Sequence, residues 1–237
     1  MAEWMKRHPL VEGLVRGRFS ILLLAVALTF FVLPLLPGRP VVLDRVFSGM
    51  LLVVVLACLR AISLHRRFFW FMVGLSLLNL ALSGANLTES GAAIRPLGVM
   101  MLLSRLIYYV LVFFSIMRYV LDPSPVTGDK ICGALSGYIL MGLIWAVAYS
   151  LFFYLDTSAF LIPERIESGG TIGMWSLYFS FTTLTTLGYG DITPAAQAAQ
   201  SYAIMEAACG QVFLSVLIAR LVALQITERS GRRAEEE

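Results

Sequence analysis

Charge is scarce in this chain. Asp, Glu, Lys and Arg make up 14% of its 237 residues, while 59% are hydrophobic. Soluble domains carry about 25% charged residues, enough to cover a water-facing surface. The mean hydropathy of +0.82 instead predicts a protein embedded in a lipid bilayer, with membrane lipids as its surroundings. A net charge of +3 is too small to imply nucleic acid as a partner. Cysteine is also sparse. Cys58, Cys132 and Cys209 each lie in an apolar run without a partner at metal-ligand spacing. That pattern argues against a disulfide framework or a zinc site and reads as buried thiols. His8 and His65 sit in basic clusters outside the apolar runs. Within those runs there are no paired carboxylates and no Ser/His/Asp set, so no catalytic residue, cofactor or enzyme activity is expected.

Long apolar stretches are what the chain has in abundance. A helix crossing a bilayer needs about 20 mostly apolar residues. Six candidates fit, at about 19–36, 41–64, 68–87, 96–121, 131–155 and 195–226. The first follows Lys6, Arg7, Arg16 and Arg18 in the manner of a signal peptide. It ends in Pro34-Leu35-Leu36-Pro37 without a small-residue cleavage pattern, and so reads as a retained span. Six spans put both termini on one side. With that side cytoplasmic, every Lys and Arg lies inside except Arg39, Arg45, Arg95, Arg165 and the mid-span Arg105. This satisfies the preference for positive charge on the cytoplasmic side, and the expected location is an integral plasma (inner) membrane of bacterial type. Asp156, Glu164 and Glu167 then face outward. The Pro- and Gly-bearing stretch 122–130 breaks helices. It divides a four-helix unit at 1–121 from a two-helix unit at 131–227, which is followed by a short charged tail at 228–237.

Between the fifth and sixth spans lies the apolar segment 173–185, too short to cross. It leads into Thr186-Leu187-Gly188-Tyr189-Gly190-Asp191. That string resembles the potassium channel signature T-x-G-Y-G-D, preceded by its pore helix. The resemblance covers roughly residues 131–226. It implies an all-α membrane protein with six transmembrane helices, a pore helix and a re-entrant filter loop, assembled as a homotetramer because each chain carries one loop. A potassium ion entering a narrow pore sheds its water, and backbone carbonyls can replace that shell. Aiming successive carbonyls at one axis requires dihedrals that alternate in hand, which Gly188 and Gly190 accept without a Cβ clash. By resemblance, the carbonyls of Thr186, Leu187, Gly188 and Tyr189 and the Thr186 hydroxyl would bind the permeant potassium. The Tyr189 side chain would turn away toward Tyr178 and Phe179, and Asp191 would anchor the outer end. Pore-helix support is expected from Trp175, Tyr178, Phe179, Thr182, Thr183 and Thr185, with Trp175 read as an interfacial anchor in preference to a packing residue. The C-terminal end of this helix, near Thr185, places partial negative charge toward the pore. Leu187 departs from the family's usual Val or Ile, and Thr182 stands where several members carry a carboxylate.

The sixth span resembles a channel inner helix. Gly210 stands at the usual place of a gating hinge, with close packing as the alternative reading. Gln211, Leu214 and Ile218 fall at helical spacing and are expected to face a cavity. Glu206 lies deep in this span, where a carboxylate must be neutral, paired or wet. The expected tie is to the hydroxyls of Thr182 and Thr183, either as a structural bond or as a proton-sensitive latch beside Gly210. Gly133 and Gly137 read as a close helix contact. Arg95, Arg105 and Arg118 do not repeat every third residue, so the front half resembles a voltage sensor in helix count alone. The few residues after the sixth span predict no covalently linked cytosolic regulatory domain.

Overall fold

The computed structural model describes residues 19–20, 22–24, 27, 66–85, 95–122, 127–163 and 172–236. The expected first and second spans lie mostly outside these residues, as do Glu164, Glu167 and the centre of the 122–130 linker. Five helices are described: α1 Arg66–Ala85, α2 Arg95–Val120, α3 Gly128–Leu155, α4 Ile172–Leu184 and α5 Gln197–Glu236. The short strands β1 Phe160–Leu161 and β2 Thr193–Pro194 pair antiparallel, with Phe160 opposite Pro194. Among the described residues, 96–120, 128–155 and 197–220 are long and apolar enough to cross a membrane, and α1 is apolar over the shorter stretch 67–82. α5 continues in helix to Glu236, ten residues past the end near 226 expected from hydropathy (236 − 226). Hydropathy marks where apolar side chains stop, whereas the backbone ladder can continue into polar sequence.

Each helix starts and stops for local reasons. Thr127 is extended and accepts the Lys130 N–H on its hydroxyl, capping α3. Asp156 ends α3 and turns the chain by accepting both the Ser158 N–H and the Ser158 hydroxyl. Those bonds, the hydroxyl's first, hold the exposed Asp156 carboxyl below its ordinary range. In α2 the exposed residues Met100, Leu103, Ile107 and Phe114 follow helical spacing along one face. The opposite face buries Tyr108, Val112, Ile116 and Val120 against Cys132, Leu140, Leu143 and Val147 of α3, with Met72 of α1 and Phe19 in the same core. Gly133 and Gly137 allow this approach. A Cβ on Gly133 would lie 3.1 Å from Val120, and one on Gly137 would collide with Met117.

A second core lies behind α4. Tyr149, Phe160, Trp175, Phe179, Ile192 and Ala199 pack together there. Trp175 is 5% exposed, with ring centres 5.1 Å from both Phe153 and Phe160. In place of the expected interfacial anchor stands a packing residue, because the ring is enclosed by Phe153 and Phe160 and has little surface left for lipid. Strand β1 carries Phe160 into this core, and the Ala159 carbonyl accepts the Ala195 and Ala196 N–H groups. The chain on both sides of the 186–191 loop is thus fastened to one aromatic floor.

Candidate functional site

The loop begins where α4 runs out of internal partners. A helix C-terminus leaves carbonyls without intrahelical donors. Here the loop's own N–H groups take them. Thr182 O accepts Leu187 N at 2.8 Å and Gly188 N at 3.0 Å, and Thr183 O accepts Thr186 N at 2.9 Å. The Thr182 and Thr185 hydroxyls turn back onto the carbonyls of Phe179 and Phe181. Thr182, Thr183 and Thr185 therefore fix where the helix stops and the loop starts.

Backbone hand alternates through the loop. Thr186, Gly188 and Gly190 have φ of 58°, 52° and 77°, while Leu187 and Tyr189 between them stay out of the positive region. The glycines adopt this conformation without steric cost. Thr186 is β-branched, and at such residues positive φ is a true outlier. Its positive φ was not anticipated from composition, because Thr is not a residue one reads as left-handed. Residues 185–191 are exposed in the single chain, and a Cβ on Gly188 or Gly190 would meet no heavy atom within 4 Å. The glycines are required by dihedral angle and not by crowding within one chain.

Tyr189 stacks on Tyr178 with ring centres 6.3 Å apart and planes 5° apart. The Tyr178 hydroxyl donates to Asp191 Oδ2 at 2.7 Å, and Asp191 Oδ1 accepts the Ile192 N–H. These contacts tie the loop's outer end to α4. Phe179 is not a partner of Tyr189: it faces the other way, 5.0 Å from Tyr149 and 5.5 Å from Phe160. Adjacent helical residues differ by about 100° in direction, so one of the pair must turn inward.

α5 packs on the rest of the chain along a single seam. Glu206 and Gly210 are buried, and Phe213, Leu217 and Arg220 continue that face. Gly210 lies against the end of α4. A Cβ there would stand 2.6 Å from the Leu184 carbonyl oxygen and 2.9 Å from its side chain. Gln211 and Ile218 are exposed and Leu214 is half-buried. Glu206 does not reach Thr182 or Thr183. It accepts the Tyr149 hydroxyl of α3 at 2.6 Å and meets the Ser180 hydroxyl of α4 at 2.5 Å. Ser180 carries no signal of its own in the sequence, because α4 also presents the hydroxyls of Ser176, Tyr178, Thr182 and Thr183. It lies one turn closer to the helix start and on the face turned toward α5.

A second polar group lies at the far end of the bundle. Arg220 donates to the backbone carbonyls of Val120 and Asp122, where α2 ends. Lys130 Nζ also donates to Asp122 O, at 2.9 Å. Asp129 accepts the Phe19 N–H at 2.8 Å and the Tyr119 hydroxyl at 3.3 Å. This linker therefore joins α2, α3 and α5 through hydrogen bonds.

The segment that holds this loop is similar to known proteins. Residues 138–225 match the family described as Ion channel. A two pore potassium channel b of Oryza sativa subsp. japonica is 39% identical over 88 residues, covering 36% of this chain and 23% of that protein. A two pore potassium channel c of the same plant is 45% identical over 47 residues, covering 20% of this chain and 10% of that protein. The chain thus spans less than a quarter of the length of these curated relatives. No solved structure matches. Neither the matched family nor the relatives point to an enzyme. With three helices among the described residues long and apolar enough to cross a membrane, this is an integral membrane protein that is similar over residues 138–225 to the Ion channel family and to two pore potassium channels of a plant.

Proposed function

We propose that four copies of this chain surround one pore that conducts potassium passively, with Thr186–Asp191 as the selectivity filter. The observation that carries the reading is the alternating backbone of the loop, with positive φ at Thr186, Gly188 and Gly190. In this reading the carbonyls of Thr186, Leu187, Gly188 and Tyr189 replace the ion's hydration shell, and the Thr186 hydroxyl completes the innermost site. Irregular backbone at membrane depth is tolerated where it lines a wet path inside protein. One chain supplies a quarter of such a path, which fits the exposure of residues 185–191. α5 fits it too: Ile204, Met205, Val212, Val216 and Ile218 are all more than half exposed, and neighbouring copies would cover part of that surface. Both termini are assigned to the cytoplasm of an inner-membrane-type bilayer by the placement of Lys and Arg.

Reconstitution into liposomes tests this reading. A reversal potential that follows the potassium gradient and ignores sodium is expected, with cross-linking that ends at a tetramer. A dimer, or a reversal potential indifferent to potassium, overturns it. Protein that assembles but passes no current would be a non-conducting subunit.

A further inference from the structure

We infer that Glu206 is a hydrogen-bond donor: it carries a proton in the folded protein, and that proton completes a chain of bonds that positions the pore helix α4 between α3 and α5. The argument is a count of hydrogens. The Ser180 hydroxyl has one hydrogen and two lone pairs. It makes two short contacts, 2.7 Å to the Gly142 carbonyl and 2.5 Å to Glu206 Oε1. A carbonyl oxygen can only accept. If Ser180 gives its hydrogen to Gly142, a carboxylate at Glu206 would face the Ser180 oxygen at 2.5 Å with no hydrogen between them. If Ser180 gives it to Glu206 instead, the same defect moves to Gly142. Both separations are direct O–H···O distances, and each needs its own hydrogen. A proton on Glu206 Oε1 supplies the second. Glu206 then donates to Ser180, Ser180 donates to Gly142, and Tyr149 donates to Glu206 Oε2 at 2.6 Å.

The surroundings agree. Glu206, Ser180 and Tyr149 are each 0% exposed. The titratable groups facing Glu206 are Tyr149 and Tyr138, both from α3. α4 presents the Ser180 hydroxyl. Among the described residues no Lys, Arg or His pairs with Glu206. An ionised carboxylate in that setting has no counter-charge, whereas the neutral acid leaves no polar atom of the set unmatched. Deeper along α4, the Ser176 and Ser150 hydroxyls meet at 2.7 Å, so polar contacts of this kind recur along the α3–α4 boundary. Glu206 is a positioning residue in this scheme: it touches no ion and acts through α4, whose C-terminal carbonyls hold the filter loop.

The test combines a spectrum with a variant pair on the full-length chain. Infrared spectra of the purified protein in detergent at neutral pH should show a protonated-carboxyl stretch that is missing from Glu206→Gln. A Gln amide has both a donor and an acceptor, as the neutral acid does. Glu206→Gln should therefore match the parent in tetramer stability and in the pH profile of potassium flux. Glu206→Ala should lose assembly. Absence of the protonated-carboxyl band overturns the inference. So does a Gln variant that falls apart like the Ala variant, or an Ala variant as stable as the parent. Band and assembly are read without any ion current, so they stand or fall separately from the proposed conduction.

Discussion

At Gly188 and Gly190 the backbone stands at φ of 52° and 77°, and the sequence position of both is part of a six-residue string. Substituting Ala puts a Cβ on a left-handed backbone, which costs about 1–2 kcal/mol per residue. Four copies would bear that cost around one axis. Gly188→Ala and Gly190→Ala are therefore expected to abolish selective flux, measured as the potassium-over-sodium permeability ratio in liposomes. An unchanged ratio in either variant removes the filter assignment. Gly210 is a different case, because its space is already filled. A Cβ would stand 2.6 Å from a backbone oxygen of Leu184, and backbone cannot swing aside as a side-chain tip can. Overpacking of this kind costs about 1–3 kcal/mol. Gly210→Ala is expected to lower the melting temperature of the detergent-solubilised protein as well as change open probability. A change in open probability at an unaltered melting temperature would favour the hinge over the close contact.

Among the elements, the end of α2 depends on residues far away in sequence. Helix C-termini leave carbonyls that need donors. Arg220 of α5 supplies them to Val120 and Asp122, and Lys130 of α3 supplies one to Asp122. Hydrogen bonds from charged donors are worth about 1.5–3 kcal/mol each, less where water reaches them. Arg220→Ala should free the lower part of α5 from α2 and raise amide hydrogen exchange near residues 117–122. Exchange equal to the parent's there would show that the clamp contributes nothing. Hydropathy placed the ends of α1, α2, α3 and α4 within a few residues of where they lie, because each of those boundaries coincides with a change from apolar to polar sequence. The motif placed the loop, because Gly at alternate positions is a backbone requirement written directly in residue type. Partnerships between helices were harder to read. Glu206 stood out as a lone acid, yet its partner Ser180 is one of many hydroxyls on α4. Trp175 carries the same letter whether it sits at a lipid interface or inside an aromatic cluster. Arg220 and Val120 are 100 residues apart, and no periodicity connects them.

The described residues form an apolar core between α2 and α3, an aromatic floor behind α4, and a long α5 that meets its own chain along one seam as far as Arg220. The end of α2 is hydrogen-bonded to Lys130 of α3 and Arg220 of α5, so movement in α2 has a route to α5. Whether membrane voltage drives such movement depends on charge. Moving one elementary charge across the full potential is worth about 2.3 kcal/mol per 100 mV, and steep gating needs several such charges per subunit. α2 carries Arg95 at its first residue, Arg118 in its last turn, and Arg105 between them. The intervals of ten and thirteen residues (105 − 95 and 118 − 105) place them at separate depths and not along a continuous stripe. Arg95 and Arg118 lie at the ends of the helix, where the field has little potential left to act through. Arg105 alone is at mid-depth, and it is half-buried in the helix packing. Its displacement would couple at most one charge per subunit to voltage. In symmetrical potassium the conductance–voltage relation is expected to be shallow, and Arg105→Gln should flatten what slope remains. A steep relation that survives Arg105→Gln would mean that the charge moved by voltage lies outside α2.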